Sequence, residues 1–211
     1  MDDLTAARQL YDTVADSYAR LLPDASFEAE EDLAMIARFA AVLPSDARVL
    51  DAGCGTGRMQ PVLRTLLPGH HATGVDLSEE MLRHARIAHP DARFDCAPLA
   101  ALPYGDGSFD GVLAWYSIIH TAPTDLDAVV TEFRRVLTDD GVALLGFQHG
   151  SGERRRSEAY GHAVELRAHL HTVDGVTTTL ERTGFTALEG VIREARLGDA
   201  QDQGFVLVRA T

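Results

Sequence analysis

Three aspartates and two histidines stand where they can act on one ligand. Asp51, Asp76 and Asp95 fall at the ends of successive strand-like runs, "RVLDA", "ATGVD" and "ARFD". His120 ends "WYSIIH" and His149 ends "GFQH", each just after a later run of the same kind. A carboxylate can accept two neighbouring hydroxyls at once or face a cation. A neutral histidine is a proton acceptor near pH 7. Between Asp51 and the second run lies "GCGTG", so Gly53, Gly55 and Gly57 crowd into five positions. Glycines so spaced let the backbone turn sharply and lie close to a ligand.

The elements that must position these residues follow from pattern. Strands are expected at 47–52, 71–76, 92–95, 109–115, 141–148, 186–194 and 203–209, and helices at 58–67, 79–88, 125–137 and 173–183. Such alternation predicts an α/β fold with a mostly parallel sheet. In open sheets of this type ligands bind at the C-terminal ends of the strands, where all three aspartates fall. The last two strands have no helical pattern between them and read as an antiparallel pair at the sheet edge. Two helices precede the core, at 3–22 and 27–42, the first closed by Pro23 and the second rich in early acidic residues that suit the helix dipole. The chain therefore divides into an N-terminal helical lid, 1–45, and a core, 46–211. Within the core, residues 150–172 form a polar, His-rich cover segment.

Three ligands compete for the glycine loop. A nucleoside triphosphate loop needs a lysine after its last glycine, and the chain has none: all 19 basic residues are arginine. A dinucleotide fingerprint reads G-x-G-x-x-G, whereas this loop is one residue shorter and carries Asp51, unwelcome beside a pyrophosphate. S-adenosylmethionine has no phosphate, and its ammonium and sulfonium favour acidic surroundings. Asp51 suits that end, Asp76 suits the ribose diol, and Asp95 offers the adenine amino group an acceptor.

Here the chain resembles the class I S-adenosylmethionine-dependent methyltransferases of the small bacterial type. "VLDAGCGTGR" resembles their first motif and "GVDLS" their second; "LPYGDGSFDGVLAWYSIIH" and "EFRRVLTDDGVALLGF" resemble the fourth- and fifth-strand regions; "LYDTVADSYARL" resembles their lid helix. "LTDDGV" stands where relatives often have a Pro-Gly turn. The resemblance covers about residues 8 to 209. It implies a Rossmann-like doubly wound sheet of seven mostly parallel strands, the last antiparallel, and S-adenosyl-L-methionine as cofactor. It further implies that Asp51, Gly53 and Gly55 hold the methionine part, and that Asp76 holds the ribose, with Leu77 and Met81 beside it. Asp95 and Cys96 would contact adenine, Trp115 would lie near the transferring methyl, and Tyr18 would reach the cofactor carboxylate.

On the acceptor side His120 and His149 are the candidate catalytic residues, each read as a base or an acceptor contact. Tyr11, Tyr116, Tyr160 and His162 are candidate lining residues beneath the lid and cover. Such a cover implies a small enclosed acceptor, most readily O-methylated. A net charge of −13 argues against nucleic acid or an anionic membrane as partner. Arg154-Arg155-Arg156 is the densest basic run and reads as a solvated loop. The absence of lysine removes Schiff-base chemistry. His70-His71 and His169-x-His171 lack the spacing of a three-ligand site, so no metal is expected. No apolar run is long enough to span a bilayer, the polar start "MDDLTAARQLYD" has no signal-peptide core, and a cytoplasmic protein is expected. Two further readings stay open: a non-methylating reaction at the same cofactor site, and a nicotinamide-dependent oxidoreductase.

Overall fold

A computed structural model describes residues 3–69 and 71–211; Met1, Asp2 and His70 lie outside the described residues, so of the His70-His71 pair only His71 is seen, exposed at a strand start. Two helices come first, α1 (Asp3–Leu21) and α2 (Glu30–Ala41). The chain then runs β1 (Arg48–Ala52), α3 (Gln60–Leu66), β2 (His71–Asp76), α4 (Glu79–Ala88), β3 (Arg93–Cys96), β4 (Phe109–Trp115), α5 (Leu126–Val136) and β5 (Leu137–Gln148). It closes with β6 (Glu153–Arg156), β7 (Leu166–His169), α6 (Val173–Arg182), β8 (Phe185–Arg193) and β9 (Gln203–Ala210). No helix among the described residues is long and apolar enough to cross a membrane.

Seven strands form one sheet in the order β3-β2-β1-β4-β5-β9-β8. β9 runs antiparallel to both neighbours, while β1 to β5 are parallel. This is the Rossmann-like doubly wound arrangement. The strand order reverses between β1 and β4, and at that switch point Asp51 and Trp115 lie on neighbouring strands. The pleat sends alternate residues to opposite faces. Leu50 and Ala52 of β1, with Ala143, Leu145 and Phe147 of β5, pack under α5 and α6. Val49, Val142 and Leu144 pack under α2 and α3 against Ile36, Phe39 and Leu63.

Three element starts differ from expectation by two residues or more, each for a local reason. α2 begins at Glu30 because Asp24 caps a 3-10 turn at Ala25–Phe27. α3 begins at Gln60, with Pro61 in its first turn, where the missing N–H costs nothing. β5 begins four residues early: Leu137 pairs with Phe109, and the register then jumps so that Gly111 meets Val142. The intervening bulge takes Asp140 to φ 64°, so the turn expected in "LTDDGV" is built inside the strand. The cover segment holds more order than its polarity suggested. β6 and β7 pair antiparallel into a separate two-stranded ribbon.

Candidate active site

The glycine loop leaves β1 and is tied to β2: the N–H groups of Gly53 and Cys54 donate to the Val75 carbonyl at 2.7 and 3.0 Å. Gly53 adopts φ +79°, and a Cβ there would sit 2.2 Å from the Ser117 Cβ, so both conformation and close approach require glycine. Asp76, at the end of β2, accepts the Gly55 N–H at 2.8 Å and the Ser78 N–H at 2.9 Å. One carboxylate thereby fixes the loop and the start of α4. Burial holds the Asp76 carboxyl above its usual range. Asp51 is buried beside it, with Gln60 Nε2 donating at 3.3 Å. Burial pushes Asp51 up to about 7. Both acids line one cavity of 1220 Å³.

These residues fit S-adenosylmethionine. Among the described residues Asp51 has no ion-pair partner, which suits a ligand that brings an ammonium, and Asp76 keeps lone pairs for a diol. Because the ligand's ammonium pairs with the ionised form of Asp51, a proton must leave that carboxyl below its pKa. The affinity for S-adenosylhomocysteine is therefore expected to be flat above pH 7 and to fall by up to about tenfold per pH unit below it. Calorimetry between pH 5.5 and 8.5 checks this, and Asp51→Asn should flatten the profile.

Over the cavity α1 lies as a strap. Asp12 accepts from Ser78 Oγ at 2.6 Å, and Asp16 pairs with Arg83 at 2.6 Å, which docks one stretch on α4. Asp3 pairs with Arg167 at 2.7 Å and with His169 Nε2 at 3.0 Å, which docks the helix start on β7. In between, Tyr11 Oη lies 2.9 Å from His120 Nε2. His120 Nδ1 lies 2.9 Å from the Arg167 carbonyl. A carbonyl only accepts, so Nδ1 carries the proton, and Nε2 accepts from the Tyr11 hydroxyl. Burial lowers His120 to about 4 and raises Tyr11 well above its usual value, so both stay neutral at pH 7. Tyr116 and Tyr160 line the same space at φ 57° and 54°, a left-handed conformation that costs about 1–3 kcal/mol and gathers at functional sites.

The cavity lining includes Tyr11, Tyr18, Asp51, Gly53, Gly55, Asp76, Leu77, Met81, Trp115, Tyr116, His120 and Tyr160. Four expected residues lie off it. Asp95 accepts from Tyr104 Oη at 3.1 Å and pairs with Arg93 at 2.7 Å, while Cys96 is exposed; Ala97 and Leu99 wall the cavity there. His149 is displaced by the pleat: Gln148 takes the cavity-facing position, and His149 N–H is held by the Asp202 carbonyl at 2.7 Å. His162 Nε2 lies 2.9 Å from Ser17 Oγ and fastens the cover to α1.

Other lining residues were not among the candidates. Arg58 is largely buried and ion-paired with Glu28, and Tyr18 lies near enough to act on its charge. Its signal was its place next to Gly57, where a side chain must face the loop's ligand. Arg193 bridges Asp32 at 2.5 Å and Asp199 at 2.9 Å. Nothing in the pattern of β8 foretold the pairing with Asp32, which is 161 residues away in sequence.

Residues 49–141 match the family model described as "Methyltransferase domain". The malonyl-[acyl-carrier protein] O-methyltransferase of Laribacter hongkongensis (strain HLHK9) is 29% identical over 99% of this chain and 64% of its own length. A protein of the same name from Geobacter sulfurreducens is 32% identical over 68% of this chain and 57% of its own length. The chain spans less than two thirds of the length of these curated relatives. Among solved structures, magnesium protoporphyrin IX methyltransferase from Synechocystis PCC 6803 with bound S-adenosylhomocysteine superposes with a TM-score of 0.75 at 19% identity, covering 100% of both chains. At that identity the likeness speaks to fold alone.

Proposed function

We propose that this chain, a class I S-adenosylmethionine-dependent methyltransferase in sequence and fold, methylates an oxygen of a small-molecule acceptor. The observation that carries the reading is the single cavity joining the Asp51–Asp76 pair at the glycine loop to the Tyr11–His120 pair under the strap. S-adenosylmethionine, when bound, supplies an activated methyl on a sulfonium and a neutral leaving group. The chain's residues then have only to bind, align and exclude water, and alignment can contribute up to about 7–11 kcal/mol.

Asp51 faces the ammonium, and Asp76 takes the ribose hydroxyls. Arg58, with Tyr18 on its guanidinium, meets the carboxylate end. α1 and the β6–β7 ribbon shut out water. Tyr11 Oη donates to His120 Nε2 and keeps its own lone pairs for the cavity, so an acceptor hydroxyl can donate to it. As that proton moves to Tyr11, the Tyr11 proton moves to Nε2. With His120 at about 4, protonating it at pH 7 costs about 4 kcal/mol. The pair therefore acts chiefly by orienting the acceptor oxygen and only secondarily as a base. We place His149 outside the chemistry, on the far side of β5.

Incubation with methyl-deuterated S-adenosylmethionine and a panel of phenols, hydroxy acids, carboxylic acids, amines and thiols tests this. The expected result is label on an acceptor oxygen together with S-adenosylhomocysteine. Label on nitrogen or sulfur alone, or an altered acceptor without label, would overturn it.

A further inference from the structure

The cavity wall carries a second charge pattern that the methyl-transfer machinery does not use. Arg154 and Arg156 lie two residues apart on β6, so they share one face of the ribbon, and both line the cavity, Arg156 at its exposed rim. Arg155, on the other face, pairs with Glu153 at 3.1 Å. The other four arginines lining the cavity each touch a carboxylate: Arg8 with Asp12, Arg58 with Glu28, Arg193 with Asp32, Arg196 with Asp199. Among the described residues, Arg154 and Arg156 have no such partner. Arg154 holds only the neutral Gln148 Oε1, at 2.7 Å.

In a chain of net charge −13, two cations left unneutralised side by side at a cavity wall are a specific feature. Burial, and then the charge of Arg156, disfavour the protonated form of Arg154. A bound anion would relieve that repulsion. Guanidinium forks match the planar and tetrahedral oxyanions of carboxylate and phosphoryl groups. The site is also placed for it. Gln148, which orients Arg154, ends the strand next to β4, whose last residue is Trp115.

From this geometry we propose that Arg154 and Arg156 form a subsite for an oxyanion, carboxylate or phosphoryl, borne by the methyl acceptor away from the oxygen that is methylated. The proposal rests on the acceptor reading above and supplies its substrate class. It makes the acceptor a small hydroxylated acid or phosphate ester, with the hydroxyl at Tyr11 and the anion at the ribbon.

The test uses the chain's single tryptophan, Trp115, as reporter. The protein saturated with S-adenosylhomocysteine is titrated with malonate and with inorganic phosphate, with chloride replacing them at equal ionic strength. The expected result is a saturable fluorescence change that chloride does not give. Arg154→Gln and Arg156→Gln should each weaken it at least about tenfold, the cost of one charge-assisted hydrogen bond. Arg155→Gln, on the opposite face, should leave it unchanged, and none of the three should alter S-adenosylhomocysteine affinity. A preference for malonate identifies a carboxylate, and a preference for phosphate a phosphoryl group. No saturable response, or equal responses in wild type and both inward-facing variants, would overturn the proposal. Failure of the wild type to bind S-adenosylhomocysteine would instead defeat the functional reading. The same titration without it would still decide the arginine pair.

Discussion

Replacing Asp76 with alanine is expected to weaken S-adenosylhomocysteine binding by about 10- to 150-fold, from the roughly 1.5–3 kcal/mol of a hydrogen bond to a charged group. Two contributions act together. The ribose diol loses its acceptor, and the N–H groups of Gly55 and Ser78 lose the carboxylate that shapes the loop and caps the approach to α4. Asp76→Asn separates them. It keeps one oxygen for a backbone donor but cannot accept two hydroxyls, so its affinity should fall between wild type and alanine. Calorimetry at pH 8, where Asp51 is ionised, measures this without interference from that group. Unchanged affinity in Asp76→Ala would place the ribose elsewhere.

Breaking the Tyr11–His120 pair should act on turnover instead. Tyr11→Phe and His120→Ala are each expected to lower kcat about 10²-fold, the scale of a misalignment near 1 Å, while cofactor affinity moves little. The double variant should be hardly worse than either single one, because the two residues act as a unit. The pH profile carries a second signature. His120 is lowered by burial to about 4, and its neutral form is the working one, so kcat should stay level from pH 8 to 5.5 and be lost only as pH falls through about 4. Cofactor affinity should fall earlier, through 7, with Asp51. An inflection of kcat near 6.5 would mean that an ordinary exposed histidine does the work.

The central strands were legible because burial on both faces makes them short apolar runs, which stand out between helical patterns and turn residues. The acid at the end of β2 was legible from its distance to the loop. What escaped the sequence depended on long-range pairing. "ERRR" reads as a solvated run because no apolar alternation marks it as a strand. It becomes one because Glu153 to Arg156 find backbone partners in Leu166 to His169, and because Asp3 anchors Arg167 and His169 from the far end of the chain. His149 and Gln148 differ by one residue, and the pleat alone decides which faces the cavity. A one-residue uncertainty in strand phase is enough to exchange them. Asp95 shows the limit of reasoning from strand ends. It stands at the right edge of the sheet, yet Arg93 and Tyr104 both hold its Oδ2, and it is not among the residues that line the cavity.

The most direct measurement is a calorimetric comparison of S-adenosylhomocysteine with NADH on the wild-type protein, at pH 8 and again at pH 6. The account predicts one saturable site for S-adenosylhomocysteine, weaker by up to about tenfold at pH 6, and no site for NADH. NADH binding, or no binding of S-adenosylhomocysteine at either pH, would contradict the reading of the glycine loop on which everything else stands.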